Sequence, residues 1–597
     1  MSATPDTLSP AFSDINLFSS KDSFFLRTLD GKNSLTIDRK TGSVSNQNAD
    51  VSGLNSTTVY GVLGNIKLLS GHYLLLIKKR ALVSEIFGNK IYRIVETMLL
   101  PYGNIETLKE TDRIDEERYV SLLKSTFRAE TFYYSYSYDM TIHTQNWFKS
   151  EKKSLWREAD DHFWWNKYLS KDLIAANAEG WIIPVIRGFV EFKDVVLVNG
   201  KSFRFGILSR LSVKRVGTRY NTRGADKSGN VANYVETEQI VAQGDNFISF
   251  MQVRGSIPLK WSQKPDLTYK PKLKIVPATS TSTNPFHIHM NDQLERYSKV
   301  VIVNLINSTG SEGKLADAFL NQHNEFKNNN VTFINFDFHK VTKRVGYGAG
   351  IDQLIAQVQN NMDQSGYFHV NFKTRQVIKT QNGILRVNCI DCLDRTNVCE
   401  SSFARVLLQK ALQDIGLISN TAKVSQIVNL EYTFKNTWAD NGDAMSNLYA
   451  GTGALKADFT RTGKRSILGV LNDGYNSATR YYLNNFTDGT KQDGLNLVLG
   501  KYTVEKGDRS PFLVSSGTLA TGLNVAKYAF VVGLVLVLIN LLQLIFMPDR
   551  LSRLGVLGML VVVTGLDGLF LRVNQAKVVN KPLLKRKIKS VLNKKTQ

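Results

Sequence analysis

The sequence predicts an α/β domain, with a β-rich amino-terminal subdomain before it and a carboxyl-terminal two-helix transmembrane anchor after it. Three observations carry this reading. From about residue 181 to 505, apolar strand-like runs alternate with polar turns and helix-like stretches, the pattern of an α/β core. Residues 1 to about 180 are dominated by short β-like runs. Near the carboxyl end stand two long apolar segments, at 528–547 and 554–571. A chain of 597 residues exceeds what one hydrophobic core holds and suits two or three domains. Its 43% hydrophobic and 21% charged residues exclude a mainly disordered chain.

In the amino-terminal part, TVYGVLGNIKLL (58–69), HYLLLIKK (72–79) and KIYRIVETMLL (90–100) read as strands. A helix is expected over 116–128, with Tyr119, Leu122, Leu123 and Phe127 on one side. IIPVIRGFVEF (182–192) reads as a strand near a boundary. VVIVNLIN (300–307), TFINFDFHKV (332–341) and ILRVNC (384–389) read as buried strands of the α/β domain. The Ser/Thr-rich stretch 278–284 marks a loop. The expected organisation is an amino-terminal subdomain (1–180), the α/β domain (181–505), a juxtamembrane linker (506–527), a transmembrane hairpin (528–571) and a basic tail (572–597).

The segment 528–547 has no charged residue over twenty positions, enough to cross about 30 Å of hydrocarbon as a helix. The second segment is shorter, Gly-rich, and carries Asp567. A single span followed by an interfacial helix is the alternative to two spans. From Arg572 onward the chain has nine Lys or Arg and no Asp or Glu, out of a net charge of +23. The positive-inside rule then puts the tail, and with two spans the large amino-terminal region too, in the cytosol. Lys594 and Lys595, third and fourth from the last residue, have the spacing of a dilysine retrieval signal, a receptor-read address for coat or adaptor proteins. The basic balance favours anionic partners. No nucleic-acid motif accompanies it.

Cysteine usage points the same way. Cys389, Cys392 and Cys399 are the only three, and they lie within eleven residues, unlike the spread framework of a secreted protein. They sit in RVNCIDCLDRTNV (386–398), where an apolar strand runs into Cys389 and helix-like sequence follows from about Thr396 to Leu412. A loop joining a strand end to a helix start turns backbone N–H groups inward as an anion nest, and the helix dipole adds to it. A cysteine at the head of that loop has its thiol pKa lowered by those donors and by Arg395, six positions on. Cys389 then becomes a thiolate nucleophile, and Arg395 holds two phosphate oxygens with its planar fork. Attack on phosphorus gives a phosphocysteine that water resolves, with no metal or other cofactor. The α/β domain is thus expected to be cysteine-phosphatase-like. Ile390, Cys392, Leu393, Thr396 and Asn397 are the candidate phosphate-binding positions, and the Thr396 hydroxyl is placed to bond the Cys389 sulfur. A structural zinc site would need a fourth ligand, and neither a fourth Cys nor a nearby His exists. A cysteine protease would need a paired His with a recognisable context. Cys392 is also placed to trap an oxidised Cys389.

On this loop the chain closely resembles the Sac-domain phosphoinositide phosphatases of the membrane-anchored suppressor-of-actin type, whose loop has the pattern Cys-x5-Arg-Thr/Ser. The blocks 209–240 (Arg-rich), 253–263, 304–315 (NLINSTGSEGKL) and 438–465 are similar too. The resemblance implies an amino-terminal regulatory subdomain on a phosphatase domain. It implies hydrolysis of phosphatidylinositol phosphates, chiefly the 4-phosphate, at endoplasmic reticulum and Golgi membranes. It gives Cys389 and Arg395 the nucleophile and phosphate-binding roles. By analogy with myotubularin lipid phosphatases, which have Asp at the same two loop spacings, Asp394 is the first candidate general acid and Asp391 the second. The alternative is that these carboxylates pair with Arg and orient the loop. Lys214, Arg215, Arg219 and Arg223, and Lys456, Arg461, Lys464 and Arg465, are either contacts for an anionic membrane or substrate, or plain solvated surface. A phosphoprotein phosphatase and a catalytically silent lipid-binding scaffold are the competing functions.

Overall fold

The computed structural model describes residues 10–128, 130–150, 154–277, 283–462, 466–512, 529, 532–533, 536–537, 550–574 and 578–585. A five-stranded antiparallel sheet occupies residues 15–59. The backbone of the molecule is a second, mixed sheet. Its strands are β1 (Val62–Lys67), β2 (His72–Ile86), β3 (Asn89–Pro101), β4 (Phe132–Ser135), β5 (Ile186–Val196), β6 (Ser202–Leu211), β7 (Val235–Gln243), β8 (Asn246–Arg254), β9 (Val300–Asn304), β10 (Val331–Asn335) and β11 (Ile384–Asn388). They lie in the order β10-β9-β11-β8-β7-β6-β5-β4-β3-β2-β1. The hairpin Phe368–Asn371 and Gln376–Lys379 is attached to β8. From β1 to β8 neighbours are antiparallel; β8, β11, β9 and β10 run parallel.

This order explains the strand sequences. β9 (VVIVN) and β11 (ILRVN) are buried at every position, as parallel strands covered on both faces must be. The long hairpin β2–β3 turns at Phe87-Gly88, both at positive φ, the backbone that a tight hairpin with strand-matched twist requires. The sheet also crosses residue 181, since Ile186 and Arg187 of β5 pair with Tyr133 and Phe132 of β4.

The helices that bear on the site are α1 (Glu110–Phe127), α2 (Gly310–Phe326), α3 (Phe338–Val345), α4 (Asp394–Asp414), α5 (Val428–Ala450), α6 (Ile467–Phe486), α7 (Asp488–Val498) and α8 (Arg550–Val573). The expected side of α1 is buried at Tyr119, Leu122, Leu123 and Phe127. α7 packs close to α1 at Gly494, where a Cβ would come 2.4 Å from the Thr126 hydroxyl.

Several boundaries differ from the sequence reading. The run 58–69 is broken at Gly61 (φ 154°) into Ser56–Val59 and β1. The 182–192 strand starts only at Ile186, after Pro184, which has no N–H for a ladder. The strand expected over 332–341 ends at Asn335, because Asp337 caps α3 by accepting the Lys340 N–H at 2.9 Å.

The apolar segment 528–547 lies almost wholly outside the described residues. The second apolar segment forms α8, with Val556, Met559, Val562 and Leu566 exposed. Gly533 lies against α8, where a Cβ would fall 2.4 Å from the Thr564 hydroxyl. Among the described residues no helix is long and apolar enough to cross a membrane. Beyond α8, residues 578–585 of the basic tail pack on α7. The Asp493 carboxylate accepts the N–H groups of Leu583 (3.0 Å) and Leu584 (2.7 Å). Asn580 donates its N–H to the Asn485 carbonyl at 2.7 Å. Val578, Val579 and Leu584 are buried.

Candidate active site

The parallel strands β8, β9, β10 and β11 end on the same edge of the sheet, and β11 is inserted between β9 and β8. Such a point, outside the carboxyl ends of the strands where the order switches, opens a crevice for ligands. The loop after β11 leads through Cys389 and Leu393 into the amino-terminal end of α4, whose first residue is Asp394.

Cys389 is buried, and its sulfur accepts the Cys392 N–H at 3.1 Å. That bond requires the loop to double back, and Cys392 does so at φ 54°, a left-handed conformation unusual for a residue with a Cβ. Burial alone would push the Cys389 thiol up. Hydrogen bonding to Cys392, the Arg395 charge and the Thr396 hydroxyl outweigh it and hold the thiol well below its ordinary value. The Thr396 hydroxyl is buried on the side of the Cys389 sulfur. Cys392 donates its thiol to the Gly255 carbonyl at 3.0 Å. Its own pKa is pushed well up by burial and by the neighbouring Cys389.

Arg395 lies against the loop after β9. Its Nη1 donates to the Leu305 carbonyl at 3.0 Å and lies 3.4 Å from both the Asn307 side-chain oxygen and Glu312 Oε2. The Glu312 pair is long for a charged hydrogen bond, so an incoming phosphate competes with it readily.

The two aspartates live in opposite surroundings. Asp391 is gripped by Arg219 through Nε (3.1 Å) and Nη2 (2.6 Å), and by Arg223 Nη2 at 2.6 Å. Burial would raise its pKa, but the two guanidinium groups prevail and hold it far below the carboxylate range. Asp391 thus has the arginine-paired arrangement that the sequence reading gave as the alternative to a general acid. The same geometry corrects Arg219 and Arg223, which are not solvated surface: Arg223 is buried and Arg219 largely so. Arg223 also donates to the Ile390 carbonyl at 2.8 Å, and Asn233 donates to the Asp391 carbonyl at 3.1 Å. Arg215 is similarly spent on the Gly224 carbonyl at 2.9 Å.

Asp394, at the start of α4, accepts the Leu455 N–H at 2.8 Å, with Arg480 Nη1 3.6 Å from its other oxygen. Burial raises its pKa more than Arg480 and Leu455 lower it, and Cys389 and Asp391 push in the same upward direction. It is the less tightly paired of the two loop carboxyls.

The remaining expected positions divide. Ile390 is half-buried, and Leu393 is buried with Tyr449 and Ala450. The Asn397 side chain faces the protein interior. Its amide donates to the Trp438 carbonyl (2.9 Å) and accepts from Arg254 (3.1 Å) and Asn441 (3.2 Å). Lys456 is exposed, whereas Arg461 pairs with Asp440 at 2.8 Å and Asp443 at 2.9 Å. Lys464 and Arg465 fall outside the described residues. The sequence reading missed the roles of Glu312, Asn233, Leu455 and Arg480. Glu312 lies in the NLINSTGSEGKL block, Leu455 in the 438–465 block and Asn233 in the 209–240 block, so a signal existed for those three. Among the described residues no group of His, Cys, Asp or Glu is arranged to hold a metal ion.

Sheet, loop and helix thus define an α/β protein with a depressed thiol seated in the turn between a parallel strand and a helix. The SacI homology domain pattern matches residues 60–343. A phosphatidylinositol-3-phosphatase of Danio rerio is 38% identical over 513 residues, covering 83% of this chain and 86% of its own length. One of Drosophila melanogaster is 38% identical over 503 residues, covering 83% and 84%. A phosphoinositide phosphatase of Arabidopsis thaliana is 36% identical over 484 residues, covering 80% and 81%. The chain belongs to the SacI homology family, the Sac-domain phosphoinositide phosphatases.

Proposed function

We propose that this chain removes the monoester phosphate of phosphatidylinositol phosphates, chiefly the 4-phosphate, through a phosphocysteine intermediate. The carrying observation is the Cys389 thiol, held low at the head of the loop with Arg395 beside it. The Cys389 thiolate attacks phosphorus, and the bond from phosphorus to the inositol oxygen breaks. Asp394 gives its proton to that leaving oxygen. Water then attacks the phosphocysteine, Asp394 takes up the water's proton, and the phosphorus–sulfur bond opens to return the thiolate. Loop N–H groups and Arg395 meet the charge on the transferring phosphoryl group, so the step calls for no metal.

The 4-phosphate preference rests on the resemblance to the membrane-anchored type, whereas the Danio and Drosophila relatives carry the 3-phosphate in their names. The cytosolic orientation rests on the two apolar segments and the basic tail, and residence at the endoplasmic reticulum and Golgi on the resemblance and on Lys594 and Lys595, which would be read by coat or adaptor proteins.

The test is phosphate release by the full chain in vesicles, over the 3-, 4- and 5-phosphate isomers and a phosphotyrosine peptide, with chelator present. Chelator-resistant release, greatest from the 4-phosphate and lost in Cys389→Ser, is the expected result. Preferred release from the peptide would make it a phosphoprotein phosphatase. Release unaffected by Cys389→Ser would overturn the mechanism.

A further inference from the structure

The helix α6 turns an apolar side to solvent. Ile467, Leu468, Val470, Leu471, Tyr475 and Tyr482 are between 42% and 82% exposed. At about 100° per residue these six positions share one side, together with Gly474 and Ala478. The two charged residues of α6 are on the other. Asp473 accepts the Lys456 N–H at 2.8 Å, and Arg480 is buried against Thr452 and Ser446. A surface helix of a globular protein is built the opposite way round, and a contiguous exposed apolar patch marks a surface made to be covered.

What covers it is indicated by its neighbours. The ridge adjoins the candidate site: Arg480 of α6 stands 3.6 Å from Asp394, and Leu455, next to Lys456, donates to the same carboxyl. Cationic side chains stand exposed around that mouth: Lys456, and on α3 Lys340, Lys343 and Arg344. The α3 cap Asp337 accepts the Ser308 N–H at 2.7 Å, in the loop whose Leu305 carbonyl and Asn307 hold Arg395, which puts α3 beside the same opening. An apolar ridge flanked by cations is the make-up of an element that lies in a bilayer interface, and charge complementarity favours an anionic lipid surface.

We propose that α6 is a membrane-inserting ridge, with Ile467, Leu468, Leu471 and Tyr475 in the bilayer interface, seating the Cys389 loop over a membrane-borne headgroup. The proposal rests on the phosphoinositide reading and deepens it. Because Arg480 belongs to the inserted helix and also faces Asp394, seating the ridge also fixes the surroundings of the acid.

The test uses the full chain reconstituted in vesicles of phosphatidylcholine and phosphatidylserine. Hydrolysis of phosphatidylinositol 4-phosphate in those vesicles is compared with hydrolysis of its water-soluble short-chain analogue. The double variant Ile467→Asp, Leu471→Asp is expected to lose about tenfold or more of kcat/KM on the bilayer substrate while keeping the soluble analogue within about twofold of wild type. Leu471→Trp, which keeps an interfacial side chain, retains both. Equal losses on the two substrates, or none on either, would overturn the proposal. So would loss of a cross-linked dimer in the double variant, which would make a second copy the occupant. A wild-type chain that hydrolyses neither substrate refutes the phosphoinositide reading itself.

Discussion

Replacing Asp391 with Asn separates two accounts of the loop. The Asp391 carboxylate makes three charged hydrogen bonds, at 3.1, 2.6 and 2.6 Å, to Arg219 and Arg223. The amide keeps the shape and loses the charge. It leaves two guanidinium groups facing a neutral partner, and the Arg223 side chain is only 2% exposed. Removing one partner of a buried ion pair costs about 3–5 kcal/mol. Arg219 and Asp391 retain 19% and 16% exposure, so about 3 kcal/mol is the better figure once solvent screening is allowed for. That lowers the apparent Tm by about 2–3 °C in a chain of this size, measured by scanning calorimetry of wild type and variant side by side. Activity should fall as well, because the Ile390 carbonyl loses the Arg223 that holds it. The fall should be equal for an inositol phosphate and for an aryl phosphate with an acidic leaving group, since an anchor serves both. A loss confined to the inositol phosphate, with Tm unchanged, would show Asp391 donating the proton and refute the assignment.

Asp394→Asn should behave in the complementary way: about 10²–10⁴-fold slower on the inositol phosphate, little changed on the aryl phosphate, with Tm near wild type, all read from steady-state kinetics and calorimetry. The pH profile of kcat/KM should have two limbs of assignable sign. A lowered Cys389 pKa means activity is lost as pH falls through it and the thiolate is protonated; a raised Asp394 pKa means activity is lost as pH rises through it and the acid is spent. Asp394→Asn should therefore remove the alkaline limb and leave the acid limb. Glu312→Gln removes a carboxylate that competes for Arg395 at 3.4 Å, so inorganic phosphate should inhibit the variant at severalfold lower concentration. Asp493→Ala leaves the Leu583 and Leu584 N–H groups without their acceptor, at about 1–3 kcal/mol each where buried, and amide exchange over 578–585 should rise while β9 and β11 stay protected.

The strand–loop–helix around Cys389 was legible in sequence because its signals are local: an apolar run, a turn, a helical period and two residues of defined chemistry six positions apart. The buried side of α1 was legible for the same reason. The role of Arg219 was not, because its partner Asp391 lies 172 residues away and meets it only once the sheet has brought β6, β7, β8 and β11 side by side. A cationic side chain in a polar stretch reads as solvated surface unless the fold supplies a carboxylate. The cap at Asp337 was a local signal that an uninterrupted aromatic-rich run obscured. In the tail, the count of lysines hid Val578, Val579 and Leu584, the residues that dock it. For α6 the apolar period was present in the sequence, but periodicity does not tell which side faces the protein.

The loop carries two carboxylates close to the position of a phosphate dianion, an arrangement that repulsion forbids unless their environments differ. The fold resolves it by giving each a different neighbour. Arg219 and Arg223, from the segment between β6 and β7, neutralise Asp391 and turn it away as an anchor. Asp394, at the first position of α4, meets one backbone N–H and a guanidinium at 3.6 Å, too little to offset burial, which raises its pKa. Two titratable groups pushed apart in this way divide the labour of holding the loop and moving the proton. The division depends on α6, since Arg480 is the cation that limits how far Asp394 rises. A shift of α6 toward Asp394 would lower that group's pKa and a shift away would raise it, so under the proposed seating a membrane contact on the outer face of that helix would act on the carboxyl beneath it.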